Sequence, residues 1–316
     1  MEVTAYFFEV KHKLLLPFYM MWLSLFLLFK PKQNFLISFG GYHSFVATLV
    51  AKLRGVRSYI ILNGIDSANI PEYQYGYLRG GAIGWCCKIS YRWATKLLPV
   101  SESLMHTITQ YGFQEPKQLG LKSEFPNQNS EYQVLPNGFD SDFWKSVASG
   151  EDGSFLTVVG SAKRIDLKGL DLILQVAPKF PDCIFYVVGL DHVADAPNNV
   201  LMLGYLNGEE LREAYSRSQF YLQLSVWEGF GCALCEAMLC GCIPIGSNVN
   251  MIPEIIGDAG YVVNNRTIDC VSETIQMALN SKSGKRISKK GRAHVVENFG
   301  IKKRIDELIE SMKLTN

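Results

Sequence analysis

Short apolar runs alternate with helix-patterned segments from residue 35 onward, and the alternation breaks once and then restarts. Runs at 35–39, 58–62, 97–100 and 133–135 have the length and residue types of buried strands, and segments 44–53 and 83–94 between them have helical spacing. After an Asn137-Gly138 turn and a loose stretch at 146–153, strand-like runs return at 155–159, 183–188, 200–203, 220–224 and 243–246. Strands joined through helices argue for parallel sheets, so the chain is expected to be α/β with two doubly wound Rossmann-like units. No repeat or low-complexity linker interrupts the pattern. At 316 residues, with 48% hydrophobic and 12% aromatic residues, the chain has enough length and apolar content for two cores.

The stretch Ser225-Val-Trp-Glu-Gly-Phe-Gly-Cys-Ala-Leu-Cys-Glu-Ala-Met-Leu-Cys-Gly-Cys-Ile-Pro-Ile-Gly246 carries the chemistry. Glu228 and Glu236 are separated by seven residues around a turn marked by Gly229 and Gly231. An apolar strand ends before the turn, and residues 232–239 read as a buried helix with Gly241 just past its end. The first turn of such a helix has unsatisfied N–H groups and the positive end of the dipole, which suit phosphate or sugar hydroxyls. Solvated carboxylates on an ordinary strand–turn–helix would account for the two glutamates equally well.

With the surrounding segments Glu210-Leu-Arg-Glu-Ala-Tyr-Ser and Pro253-Glu-Ile-Ile-Gly-Asp-Ala-Gly-Tyr, this region resembles the C-terminal domain of the group 1 (family 4) retaining glycosyltransferases of the GT-B fold. Val134-Leu-Pro-Asn-Gly-Phe-Asp140 resembles that family's hinge. Val158-Val-Gly160 followed by Lys168-Gly-Leu-Asp resembles its phosphate-binding loop, and Leu97-Leu-Pro-Val-Ser-Glu-Ser-Leu104 its last N-terminal strand. The resemblance covers roughly residues 35–310. It implies an N-terminal, acceptor-side domain at 1–147, a nucleotide-sugar-binding domain at 148–300, a cleft between them, and a helix at 301–316 that crosses back to the first domain. It also implies that the first strand–helix units and glycine-rich turn of the N-terminal domain are missing. Where many members have His-Gly after a strand, this chain has Asn63-Gly64; Gly64-Ile-Asp66 and Ile70-Pro-Glu-Tyr-Gln-Tyr-Gly76 resemble a subgroup with Gly-x-Asp and Ile-Pro-x-x-x-Tyr-Gly there, which makes Asp66 the expected polar contact to sugar or acceptor, with a loop-capping role as the competing reading.

Breaking a sugar–phosphate bond builds negative charge on the leaving diphosphate, so fixed cations or N–H donors are needed beside it. Lys168 and Arg164 suit that need, with Lys163 able to take the same part. By resemblance, Glu236 would hold the ribose hydroxyls, Glu228 would lie by the donor sugar and phosphates, and the amides of Phe230, Gly231 and Cys232, with Gly160, would complete the cradle. No cofactor and no metal are expected, only a nucleotide diphosphate sugar as donor substrate. Asp140 and Asp142 imitate a metal-binding D-x-D but fall in the hinge match. Cys232, Cys235, Cys240 and Cys242 superficially imitate a zinc set, against which stands their position on a helix where small apolar side chains pack.

Several function classes are excluded by composition. A net charge of +1 gives no reason to expect nucleic acid, the eight cysteines lack a secreted disulfide spacing, and the apolar run at 14–29 ends in Lys30-Pro-Lys rather than at small residues. That run is short for a bilayer span and reads either as a buried helix or as one lying on a membrane surface. The basic run 282–292 reads as a solvated face that could also attract anionic lipid head groups. The expected activity is retaining, metal-independent transfer from a nucleotide diphosphate sugar to a glycan or lipid-linked acceptor, in the cytoplasm or at the inner membrane face. Two alternatives remain: a nucleotide-sugar-binding inactive homologue or subunit completed by a partner chain, and a sugar epimerase.

Overall fold

The computed structural model describes residues 15–126 and 130–313; Leu14, at the head of the apolar run, lies outside them. The elements, in chain order, are α1 (Leu16–Phe29), β1 (Phe35–Ser38), α2 (Tyr42–Arg54), β2 (Ser58–Leu62), α3 (Gly81–Trp93), β3 (Lys96–Pro99), β4 (Thr107–Thr109), β5 (Lys117–Leu119) and α4 (Leu121–Glu124). There follow β6 (Glu151–Val158), α5 (Ile165–Lys168), α6 (Leu170–Val176), β7 (Ile184–Val188), β8 (Val200–Gly204), α7 (Gly208–Arg217) and β9 (Ser218–Gln223). The last are α8 (Cys232–Leu239), β10 (Ile243–Ser247), α9 (Ile252–Ile256), β11 (Tyr261–Val263), α10 (Ile268–Leu279), α11 (Gly284–Asn298) and α12 (Ile301–Lys313).

Two parallel sheets result, as the alternation requires. The first has the order β1-β2-β3 and the second β11-β10-β9-β6-β7-β8. Every residue of β2 and β3 is buried, which explains why they read as continuous apolar runs rather than alternating ones. In the second sheet Phe155 stacks between Phe185 and Phe220 at 4.8 Å from each, so one aromatic row binds the three central strands.

Three features depart from the sequence pattern. The run 133–135 is not a full strand: Gln133 N donates to Leu97 O and Leu135 N to Pro99 O, but Pro136 offers no donor and the pairing stops. The antiparallel pair β4–β5 and the edge strand β11 are three residues each, too short to stand out. The loose stretch 146–153 already contains the start of β6, whose register against β9 shifts between Glu151 and Phe155.

Helix α1 is only partly buried. Leu23 and Leu27 pack inward, while Phe18, Met21, Trp22, Leu25, Leu28 and Phe29 are exposed. Arg54 at the end of α2 closes its C-terminus by donating to Leu27 O and Lys30 O, each at 2.7 Å. At the other end of the chain, Phe139 N donates to Phe299 O and Ile301 N to Phe139 O, and Arg304 Nη1 reaches Leu135 O and Pro136 O at 3.2 and 2.6 Å. Helix α12 then runs to the first sheet, where Tyr59 Oη donates to Met312 O. Arg292 of α11, expected on a solvated face, instead donates to the carbonyls of Ser141, Trp144 and Leu239 and ties the connecting segment down. Among the described residues no helix is long and apolar enough to cross a membrane.

Candidate functional site

In a parallel sheet the carboxyl ends of the strands point the same way, and the loops leaving them share one rim. The loops after β1, β2, β6 and β9 meet at such a rim and enclose a cavity of about 250 Å³. Phe39, Asn63, Ile65 and Tyr75 come from the first unit; Arg164, Leu167, Lys168, Trp227, Glu228 and Gly229 come from the second.

Backbone contact sets the depth of this cavity. Gly229 lies so close to the loop after β2 that a Cβ there would sit 2.0 Å from Asn63 O, and Ser101 Oγ donates to Gly229 O at 2.9 Å. The turn at Gly169, with φ +75°, lies equally close to the end of β9, where an added Cβ would meet Leu224 O at 2.2 Å. That approach brings Lys168 beside the glutamate loop.

Lys168 Nζ donates to Glu228 Oε2 at 2.6 Å, with both side chains mostly buried. The same carboxylate oxygen accepts from Gln223 Nε2 at 2.9 Å and from Ser225 Oγ at 3.4 Å. Tyr221 Oη donates to Gln223 Oε1 at 3.0 Å, which fixes the amide with its nitrogen toward Glu228. Asn250 Oδ1 accepts from Glu228 N at 3.1 Å. Gln223, Ser225, Asn250 and Tyr75 were not singled out in the sequence: Ser225 and Tyr75 stand in motif stretches but carry no charge to mark them, and only β-strand alternation puts Gln223 on the face of Tyr221.

Arg164 places its guanidinium 5.7 Å from the centre of the Tyr75 ring, across the cleft. Burial holds the Tyr75 hydroxyl above the ordinary phenol range, so it acts as a neutral donor or acceptor. Lys163 is exposed in the same loop and does not line the cavity, and Gly160, with φ +70°, faces open space. Two buried nitrogens near Glu228, Trp227 Nε1 and Asn250 Nδ2, have no hydrogen-bond partner among the described residues.

Asp66 is a correction to the sequence reading. It is fully buried, Oδ2 accepts from Gly40 N at 2.8 Å, and Oδ1 accepts from Asn63 N and Gly64 N at 3.0 and 2.9 Å. With its lone pairs directed at backbone donors, it shapes the loops of the cavity floor and does not line the cavity.

Glu236 stands one turn into α8, outside the cavity wall, and accepts from Tyr215 Oη at 3.4 Å. Burial pushes its carboxyl up to about 7. No side chain caps the start of α8. Gly231 there has φ +117°, the Phe230 ring is buried between Phe139 and Phe299, and Cys232 is exposed with its sulfur accepting from Asn137 Nδ2 at 3.2 Å. Cys235, Cys240 and Cys242 are buried, and Cys242 Sγ donates to Tyr215 O at 3.0 Å. Among the described residues no three His, Cys, Asp or Glu side chains converge on a point. Asp140 Oδ1 accepts from Asp142 N and Phe143 N, a local turn that occupies that carboxylate.

Residues 142–294 match the family model of the group 1 glycosyl transferases. This chain carries that family's pattern over its second unit. Its fold is GT-B: sucrose-phosphate synthase from Thermosynechococcus elongatus superposes with a TM-score of 0.73 over 98% of this chain and 81% of that one, at 15% identity. HepE of Anabaena, in a complex with UDP and glucose, gives a TM-score of 0.72 over 97% and 84%, at 14% identity. In sequence, the O-antigen chain mannosyltransferase B of Escherichia coli is 37% identical over 86 residues, which is 27% of this chain and 23% of that protein. Matched segments in the first curated relatives span from 23% to 40% of their lengths. Lys168 and Glu228, which meet here through the loops after β6 and β9, both fall within the matched residues.

Proposed function

We propose that this chain transfers a glycosyl group from a nucleoside diphosphate sugar to a hydroxyl of a glycan or lipid-linked acceptor, with retention at the anomeric carbon and without a metal ion. The observation that carries the reading is the Lys168–Glu228 pair at 2.6 Å in a cavity that Arg164 also lines. A leaving diphosphate needs positive charge held in place before the bond breaks. Lys168 offers a point charge and Arg164 a planar fork, while the uncapped start of α8 adds N–H donors. The fold shared with a protein crystallised with UDP and glucose supports a nucleoside diphosphate as the ligand of the second unit.

Lys168 would trade part of its contact with Glu228 for a phosphate oxygen, leaving Glu228, still held by Gln223, to receive a sugar hydroxyl. Glu236 would accept from ribose hydroxyls, which favour its ionised form. Trp227 Nε1 and Asn250 Nδ2 would find acceptors once the cavity is filled, since a buried donor without a partner costs about 1–3 kcal/mol.

The test is a panel of UDP-, GDP- and ADP-sugars, read by thermal shift and then by NMR of the anomeric proton in the product. Stabilisation by one donor series, unaffected by EDTA, followed by transfer with the donor's anomeric configuration, is the expected result. Loss of binding in EDTA that Mg or Mn ions restore, or an inverted product, would refute the reading. Tight binding with no turnover on any glycan or lipid-linked acceptor would refute the transfer step.

A further inference from the structure

Helix α1 is apolar on every side, yet only Leu23 and Leu27 are buried. Its exposed residues fall at 18, 21, 22, 25, 28 and 29, the spacing of a single stripe along a helix. A helix that needed only to cover the first sheet would be polar along that stripe. Phe29, at 86%, and Phe18, at 64%, are more exposed than any core requirement explains, and Leu53 of the adjoining α2 is 71% exposed. Proteins rarely leave contiguous apolar surface of this kind in water without a use for it.

The charge around the stripe identifies what it fits. From Leu15 to Asn63 the chain carries Lys30, Lys32, Lys52, Arg54 and Arg57 and not one Asp or Glu. Helix α3, packed on the far side of α2, adds Lys88 and Arg92 with no acidic residue, together with Trp85, which is 56% exposed. A protein partner of ordinary composition would not call for this one-sided balance, whereas a surface that is apolar below and anionic above does. With 14 residues, α1 is too short to span such a layer and suited to lying along it.

We infer that the exposed stripe of α1, with Lys32 just past its end and Lys52 on the adjoining α2, where its ammonium lies over the Trp93 ring, is a docking surface for an anionic phospholipid bilayer. The helix lies in the plane of the head groups, with Phe18, Met21, Leu25, Leu28 and Phe29 directed at the acyl boundary and the lysines at the phosphates. The inference concerns the α1 face alone and does not depend on the catalytic reading.

Flotation of the full chain with vesicles tests it, comparing phosphatidylcholine alone with phosphatidylcholine carrying about a third phosphatidylglycerol. The chain is expected to float with the anionic vesicles, and to do so at least tenfold less when salt is raised from 50 to 500 mM, because the screening length shortens from roughly 14 Å to roughly 4 Å. Met21→Glu with Leu25→Glu, both on the exposed stripe, should abolish flotation. Lys32→Glu with Lys52→Glu should reduce it at least tenfold, since each basic residue near such a surface contributes about fivefold. Circular dichroism and nucleotide affinity, unchanged in both pairs, would show that the fold and the cleft are intact. No flotation of the natural sequence, or equal flotation of the M21E/L25E pair, would overturn the inference. A dimer in light scattering that M21E/L25E dissociates, with no lipid binding, would assign the stripe to a second copy of the chain and overturn it as well.

Discussion

At the scale of single residues, the carboxylate of Glu228 is the best-connected group in the cleft. Replacing Lys168 with Ala leaves Glu228 without its cation and removes the charge proposed to hold a phosphate oxygen. Nucleoside diphosphate affinity by calorimetry should fall about tenfold or more, and unchanged affinity would remove Lys168 from the site. Gln223→Leu keeps the volume but leaves the Tyr221 hydroxyl and one contact of Glu228 unmet. It should cost roughly 1–3 kcal/mol in denaturant unfolding and lower turnover more than donor affinity. Glu236 carries a pH signature. Its carboxyl is near the ordinary 4.5 when unfolded and about 7 when folded, so below pH 4.5 it is protonated in both states and burial carries no charge penalty. As the pH rises from 4.5 to 7 the unfolded chain ionises first, and stability drops by roughly 3 kcal/mol before levelling off. Glu236→Gln should therefore match the natural protein in thermal stability at pH 4.5 and exceed it at pH 8. A difference independent of pH would mean that the carboxyl is not raised.

The elements owe their positions to a few close backbone approaches. The turn from α5 to α6 reaches the end of β9 only because Gly169 has no Cβ and takes a left-handed φ. Gly169→Ala adds backbone strain to a contact that cannot yield, and should destabilise the fold by about 3 kcal/mol or more while also weakening diphosphate binding through displaced Lys168. Full nucleotide affinity in a folded G169A protein would disprove the coupling. Helix α8 explains the cysteines. Burial holds the Cys235 and Cys242 thiols well above their ordinary range, so both stay protonated and pack as small apolar groups.

For the whole molecule, the question is how the two units are held at one separation. Two kinds of contact do so: the meeting of Gly229 with Asn63 on the cleft floor, and α12 with its preceding segment on the other flank. Arg304 anchors the second by donating to Leu135 O and Pro136 O, and burial lowers its guanidinium below the ordinary range without neutralising it. Arg304→Met retains the packing of the stem but leaves both carbonyls unmet. It should lower unfolding stability by about 1–3 kcal/mol and raise donor KM by loosening the cleft, with little change in nucleoside diphosphate binding to the second unit. Small-angle scattering that shows no broadening of the interdomain distance would count against this role.

The sequence by itself determined the α/β class, the two parallel sheets and the glutamate turn, because each is written in local terms: apolar runs of strand length, helical spacing, and glycines where the chain must turn. Helix α8 was legible to its bounds, since glycines flank an apolar segment broken only by Glu236. Lys168 and Glu228 could be named as candidates, but only the tertiary structure decided that they meet, through the approach of Gly169 to Leu224. It also decided against Asp66, whose sequence setting is the same for a ligand contact and for a carboxylate that gathers three backbone donors. Gln223 and Asn250 became site residues only when the sheet aligned β9 and β10 side by side. Pairings between residues far apart in the chain depend on register and close approach, and neither leaves a mark on local composition. The reverse holds for α1: its apolar character is plain in the sequence, but only the folded structure showed that one stripe of it faces outward.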